Sequence, residues 1–276
     1  MKYISREQLC YLNCHYVNYS IDYFLDTMAM LGVPYVELST GHQGVWLDHK
    51  SYCNVNELKR KLTERGLGAK IIAPENCVLM YQYAAPEKEL FDLCYRYFAN
   101  GMRMGAELGC TLMECNSGWG YWNEDIVEGQ KRCIDMFQRL VRLAEELDMV
   151  LVCESLRPQE TRIGDTLEKT KFLYDSVGSD RLKIMIDLTA MSVSGETLQQ
   201  WFDVFGGAII HMHFQDRTPM GHLIWGDGNC SLEENLRILK ENGYTGLLSS
   251  EITHARYYMN PRYYDTINVR NLERFM

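Results

Sequence analysis

The 276-residue chain is 46% hydrophobic and 24% charged, an ordinary globular composition that excludes disorder, collagen and coiled coil as the main architecture. It carries 37 Asp and Glu against 28 Lys and Arg, and a net charge of −9 excludes duplex nucleic acid as a main partner, because such a surface repels phosphates. The length lies just under two domains at roughly 150 residues each, yet one eight-stranded α/β barrel commonly uses about 250.

Short apolar runs alternate with longer amphipathic stretches. QLCYLNCHY (8–16) leads into SIDYFLDTMAMLG (20–32), and YVELS (35–39) into NELKRKLTERG (56–66). AKIIAPE (69–75) precedes the stretch 86–109, and CTLMECN (110–116) precedes 124–148. MVLVCESL (149–156) is followed by DTLEKTKFLYDSVG (165–178), and LKIMIDLTA (182–190) by GETLQQWFDVFG (195–206). GAIIHMHFQD (207–216) precedes SLEENLRILKENG (231–243), and GLLSSEIT (246–253) precedes the last stretch, 261–275.

The longer stretches have helical periodicity: Cys133, Met136, Phe137, Leu140, Ala144 and Leu147 recur at three- and four-residue spacing on one stripe. Ser231, followed by Glu233 and Glu234, reads as a helix start, and Gly243 as its stop. The apolar runs are nearly continuous, as expected for parallel strands buried on both faces. Eight such units without a Pro/Ser-rich linker predict one closed (β/α)8 barrel over residues 1–276. A doubly wound open sheet is the alternative, but no glycine-rich turn follows the first run.

No apolar run approaches the ~20 residues of a membrane span, and MKYISREQLCYLN lacks the pattern of a signal peptide, so a cytoplasmic location is expected. The ten cysteines, at 10, 14, 53, 77, 94, 110, 115, 133, 153 and 230, form no CxxC pair. They read as reduced, mostly buried thiols, and a structural zinc site has no spacing to support it.

In such a barrel the site lies at the C-terminal ends of the strands. The predicted strands end with Glu37, Glu75, Glu114, Glu154, Asp187, His213 with Asp216, and Glu251. A single glutamate there is commonly solvated or ion-paired. Several converging on one rim repel one another unless a cation lies between them. Glu154, Asp187, His213 and Glu251 together therefore predict a divalent metal site, three carboxylates and one imidazole. Manganese is the first expectation for the ion, with cobalt, magnesium, zinc or nickel as alternatives. For Glu37, Glu75 and Glu114, substrate contact and structural pairing stand equal. Trp119, Tyr121 and Trp122 lie beyond the fourth strand, where aromatics either pack or form a sugar platform.

The chain resembles the xylose-isomerase-like barrels, which include sugar 3-epimerases and endonuclease IV. The residues that carry the resemblance are VLVCESLRPQE, IMIDLTA, IIHMHFQD, HLIWGDG, LLSSEIT and the tail YYMNPRYYDTINVRNLERF, in this order and spacing over nearly the whole chain. Within the group it is most similar to the 3-epimerases that act on fructoselysine-like ketosamines. The resemblance makes Glu154, Asp187, His213 and Glu251 the ligands of one divalent ion, and Glu154 and Glu251 also the acid/base pair. It matches Glu160 to a glutamate that contacts substrate near the reacting carbonyl. It matches His222 to a polar position in the loop after the seventh strand, where a solvated histidine is the alternative.

Two departures stand out. Many relatives carry a histidine where this chain has Ala190. Arg217 is near, but not at, the spacing of an arginine in the ketohexose epimerases. Both argue against a free ketohexose, and the missing histidine and the acidic charge argue against endonuclease chemistry.

The expected function is a metal-dependent sugar epimerase or isomerase, which moves a proton next to a carbonyl through an enediolate that the ion stabilises. The expected reaction is 3-epimerisation of a ketose or ketosamine. A lyase or dehydratase of the same fold, such as a C-glycoside-cleaving subunit, is the alternative, and a non-catalytic sugar-binding barrel a third reading. Candidate substrate contacts are Glu160, His222, Arg217, Glu37, Glu75, Asn76, Asn116, Trp119, Tyr121 and Trp122, with Arg217 suited to a ketosamine carboxylate. The expected partners are a small sugar substrate and a second copy in a dimer or tetramer, with no nucleic acid and no membrane. The lyase reading adds a second, different subunit.

Overall fold

A computed structural model of the protein describes residues 2–42, 44–75 and 81–276. Eight parallel strands close into a barrel: β1 (Leu9–Leu12), β2 (Tyr35–Ser39), β3 (Gly68–Ala73), β4 (Leu112–Asn116), β5 (Val150–Glu154), β6 (Leu182–Asp187), β7 (Ile209–His213) and β8 (Leu247–Ser250). Each strand pairs with its sequence neighbours, and β1 closes the ring on β8 through Leu9–Leu248, Cys10–Ser249 and Tyr11–Ser250. The expected closed barrel is therefore found, and the open sheet is not.

The outer ring consists of α1 (Ile21–Leu31), α2 (Val55–Glu64), α3 (Lys88–Leu108), α4 (Ile126–Glu146), α5 (Leu167–Val177), α6 (Leu198–Phe205), α7 (Leu232–Glu241) and α8 (Pro261–Glu273). Side-chain oxygens of Ser20, Asn54, Asp125, Thr166, Thr197 and Ser231 cap the helix starts. Each satisfies an amide that the first turn leaves without a partner. The apolar core lies between helices and strands; Phe98, Phe137, Leu140 and Trp201 are buried in it. Helix α3 approaches β3 so closely that a Cβ on Gly105 would lie 2.6 Å from Cγ2 of Ile72, so only glycine fits there. At the closure, Tyr16 donates to Asp265 Oδ2 at 2.6 Å, and His15 Nε2 lies 2.9 Å from Oδ1, tying the loop after β1 to α8.

The sixth strand ends at Asp187 as expected, and Leu188–Val193 form a short helix that Asp187 caps. Other expected strand ends shift: Glu37 and Glu114 lie inside β2 and β4, and β3 stops at Ala73, two residues before Glu75. The run 207–216 ends as strand at His213, and Asp216 opens an antiparallel hairpin, Asp216–Thr218 with Gly221–Leu223. A second hairpin, Gly41–His42 with Val45–Trp46, follows β2. These short pieces have no apolar periodicity of their own, which is why the pattern did not announce them. The nine described cysteines are free thiols, while Cys77 lies outside the described residues.

Candidate metal centre and substrate cavity

Adjacent strands deliver the four expected ligands to one point. Glu154 ends β5, Asp187 ends β6 in register with His213 at the end of β7, and Glu251 follows β8 directly. One ligand atom from each of Glu154, Asp187, His213 and Glu251 lies within 4.8 Å of the others. His213 Nδ1 is 2.9 Å from Glu154 Oε1 and 3.2 Å from Glu251 Oε2. His222, from the hairpin after β7, places Nε2 2.7 Å from Asp187 Oδ2 and 3.2 Å from the same Glu251 oxygen. It is buried, and the solvated alternative does not hold.

Local structure holds these groups in place. Oδ1 of Asp187 accepts from the amides of Thr189 and Ala190 and from Gln215 Nε2, which leaves Oδ2 for His222 and the cluster. Burial raises the Glu154 carboxyl to about 7; His213 opposes the rise, and the charges of Glu251 and Asp187 add to it. Burial works against a charged His222, but Asp187 and Glu251 outweigh it and raise the imidazole to about 9. Burial also opposes ionisation of Asp187, yet His222 holds that carboxyl well below the usual range. So much anionic charge with so little water around it is a setting that a cation would stabilise. The donor set of three carboxylates and an imidazole, all within reach of one point, fits one divalent ion.

Beside the cluster lies a cavity of about 180 Å³, lined by Glu75, Glu154, Ser155, Leu156, Arg157, Glu160, Asp187, Ala190, His222, Glu251 and Thr253. It is smaller than the roughly 300–1,000 Å³ of drug-sized sites, which suits a small polar substrate.

The expected substrate contacts divide. Glu75, Glu160 and His222 line the cavity; Glu37, Asn116, Trp119 and Arg217 do not. Glu37 is buried inside the barrel against His211 and His213. Burial works against its charge, but the two imidazoles hold the carboxyl well below the usual range. Asn116 is buried and accepts from the amide of Gly118 at 2.9 Å. Tyr121 and Trp122 are exposed, and Tyr121 donates to Glu87. Arg217 donates from Nε to Ser192 Oγ at 2.5 Å and does not line the cavity, although it pairs with His222 across the hairpin. Asp216 accepts from the amides of Arg217, Gly226, Gly228 and Cys230, and so organises the loop instead of the rim. Glu114 is pushed upward by burial and the charge of Glu154. Asn76 lies outside the described residues.

Sequence reasoning missed Arg157. Its backbone N and Nε each donate to Glu160 Oε2 at 2.9 Å, and Nη2 donates to Glu160 Oε1. Nη1 reaches the carbonyl of Met220 on the hairpin tip at 3.4 Å. Its three-residue separation from both Glu154 and Glu160 was the available signal.

A family model described as a xylose isomerase-like TIM barrel matches residues 25–269. A fructoselysine 3-epimerase from Escherichia coli O157:H7 is 31% identical over 147 residues, 52% of this chain and 52% of that protein. The chain thus aligns with about half the length of that relative. An inosose dehydratase from Clostridium beijerinckii is 24% identical over 80% of this chain and 81% of its own. The crystal structure of a 3-keto-D-glucoside 4-epimerase from E. coli superposes with a TM-score of 0.79 at 16% identity, covering 96% of this chain and 99% of that one.

Proposed function

Because the chain belongs to the xylose isomerase-like TIM barrel family, we propose that it is a divalent-metal-dependent sugar epimerase or isomerase, acting at carbon 3 of a ketose or ketosamine. The observation that carries this reading is the convergence of Glu154, Asp187, His213 and Glu251 within 4.8 Å beside a small polar cavity. A divalent ion held there supplies Lewis acidity toward the oxygens next to the carbon that loses its proton. Manganese is the first candidate.

Glu154 ends β5 and Glu251 follows β8, three places on in the ring, an arrangement that would let their carboxylates approach a bound sugar from different sides. One removes a proton from one face of the carbon, and the other returns a proton to the opposite face. Such acid–base steps contribute about 10²–10⁴-fold each. Glu160, paired with Arg157, and His222, paired with Asp187, line the cavity and would orient substrate hydroxyls.

The lining also bears on substrate class. Glu75, Glu154, Glu160, Asp187 and Glu251 line the cavity, three of them as proposed ligands, while the lining cations Arg157 and His222 are engaged by Glu160 and Asp187. A lining whose cations are already committed disfavours a phosphorylated or carboxylated sugar end and leaves a neutral or amine-bearing one. A ketosamine carries its ammonium next to the reacting carbons, and the similarity to a fructoselysine 3-epimerase points the same way. The dehydratase relative, aligned over four-fifths of the chain, supports a lyase as second reading.

The deciding experiment is incubation of the Mn²⁺-loaded protein in D₂O with a panel of ketoses and ketosamines, followed by NMR. An epimerase exchanges the proton at carbon 3 and leaves the elemental composition of the sugar otherwise unchanged. A lyase releases a conjugated product. Absence of exchange and turnover across the panel would sink both readings.

A further inference from the structure

Two histidines, His211 and His213, stand two residues apart on β7 and so point to the same side of the strand, into the barrel. Glu37 reaches both from β2, with Oε2 3.0 Å from His211 Nε2 and Oε1 3.3 Å from His213 Nε2. Glu37 and His211 are fully buried, and neither lines the substrate cavity. Sequence reasoning held Glu37 as a possible substrate contact and did not consider His211.

An ionised carboxylate only accepts hydrogen bonds. Each imidazole must therefore present a proton at Nε2. For His213 this leaves Nδ1, which lies 2.9 Å from Glu154 Oε1 and 3.2 Å from Glu251 Oε2, where a bound ion would replace the proton that Nδ1 otherwise presents to these carboxylates. We infer that Glu37 and His211 are positioning residues of the metal centre: Glu37 fixes His213 as the Nε2–H tautomer so that Nδ1 faces the ion, and His211 holds the second oxygen of Glu37. The inference rests on the metal-centre reading above and names which nitrogen does the binding and what decides it.

The geometry matches the recurring pattern in which a ligating histidine donates its other ring N–H to a carboxylate, and loss of that partner costs about 10–100-fold in metal affinity. His211 keeps the Glu37 carboxylate from rotating about its own bond, because both oxygens are then engaged. Glu37, His211 and His213 also have atoms within 4.8 Å of one another, so a second ion among them is the competing arrangement. The test separates the two.

The test has two parts. Mn²⁺ binding to the metal-free wild type and to Glu37→Gln is measured by calorimetry, with thermal melting to verify folding. Histidine ¹⁵N spectra of the Zn²⁺-loaded wild type, with His213 assigned by comparison with His213→Asn, report the ring nitrogens directly. One equivalent of Mn²⁺, a 10–100-fold loss of affinity in Glu37→Gln, and a His213 ring protonated at Nε2 and ligated through Nδ1 are expected. Ligation through Nε2 overturns the inference even if Glu37→Gln fails to fold. Unchanged affinity in Glu37→Gln overturns it while leaving the metal centre intact, and so does a second equivalent that this variant loses. A wild type that binds no ion removes the metal-centre reading itself, and the inference with it.

Discussion

His222 Nε2 lies 2.7 Å from Asp187 Oδ2, joining the second strand of a hairpin to a barrel strand end across 35 residues of sequence. Ala190, three residues after this aspartate, lines the same cavity as the imidazole. The contact couples the centre to pH. Without a cation, protons do part of the work of holding the carboxylates together.

The metal-free protein should therefore lose stability as pH rises. His222 is raised to about 9 and Glu154 to about 7 in the folded state. A raised folded value means that the folded state binds the proton more tightly than the unfolded chain. This contribution is present below the unfolded values, about 4.3 for Glu and 6.5 for His, and is lost as pH climbs through the folded ones. Asp187 is lowered and works in the opposite sense, losing its contribution in acid. Calorimetry of chelated protein should show Tm falling between about pH 6.5 and 9, and saturating Mn²⁺ should abolish the fall. A Tm that rises over this window would contradict the assignment.

Ion binding should release protons and tighten as pH rises, since ligands must be deprotonated to bind. Calorimetric titrations at pH 7 in buffers of different ionisation enthalpy measure the number released. No dependence on the buffer would mean that Glu154, His213 and His222 are already deprotonated in the metal-free chain.

Glu154→Gln and Glu251→Gln should each reduce turnover by about 10²-fold or more. Both residues are also expected ligands, so metal content must be measured on the same samples. Near-normal rate with the ion bound would remove the acid–base role of that residue.

Arg157→Ala should lower kcat/KM about 10–100-fold, the worth of a charge-assisted grip on Glu160, while Mn²⁺ affinity stays within a few-fold. Glu160→Gln should behave alike, and the double variant should add little, because the two act as one unit. Arg217→Ala should change ketosamine preference little, since its guanidinium faces Ser192. Steady-state kinetics of the four variants on a ketosamine and on D-allulose settles which arginine matters.

Gly105→Ala should destabilise the protein by about 1–3 kcal/mol, the usual cost of overpacking. The new methyl would sit 2.6 Å from Ile72 Cγ2 and 3.2 Å from Met149 Cε. Denaturant melts measure the loss, and an unchanged midpoint would show that α3 can move off β3.

What the sequence by itself determined were the features that follow from periodicity and strand order. Eight apolar runs, each followed by a helical stripe, leave few ways to bury both faces of a parallel sheet, and closure brings all the strand ends to one rim. That is why Glu154, Asp187, His213 and Glu251 could be read together before any coordinates, though far apart in sequence. Only the tertiary structure decided which neighbours share the rim and which turn from it. Glu37 and Glu154 both sit in apolar runs, yet Glu37 is closed off by two imidazoles inside the barrel, while Glu154 opens on the cavity. Arg157 and Arg217 each follow a strand end closely, but Arg217 is tied to Ser192 while Arg157 lines the cavity. The reason is physical: repeating backbone geometry fixes where a strand ends, whereas a side chain beyond it points wherever an irregular loop and its hydrogen bonds send it, and those bonds are made by residues distant in the chain.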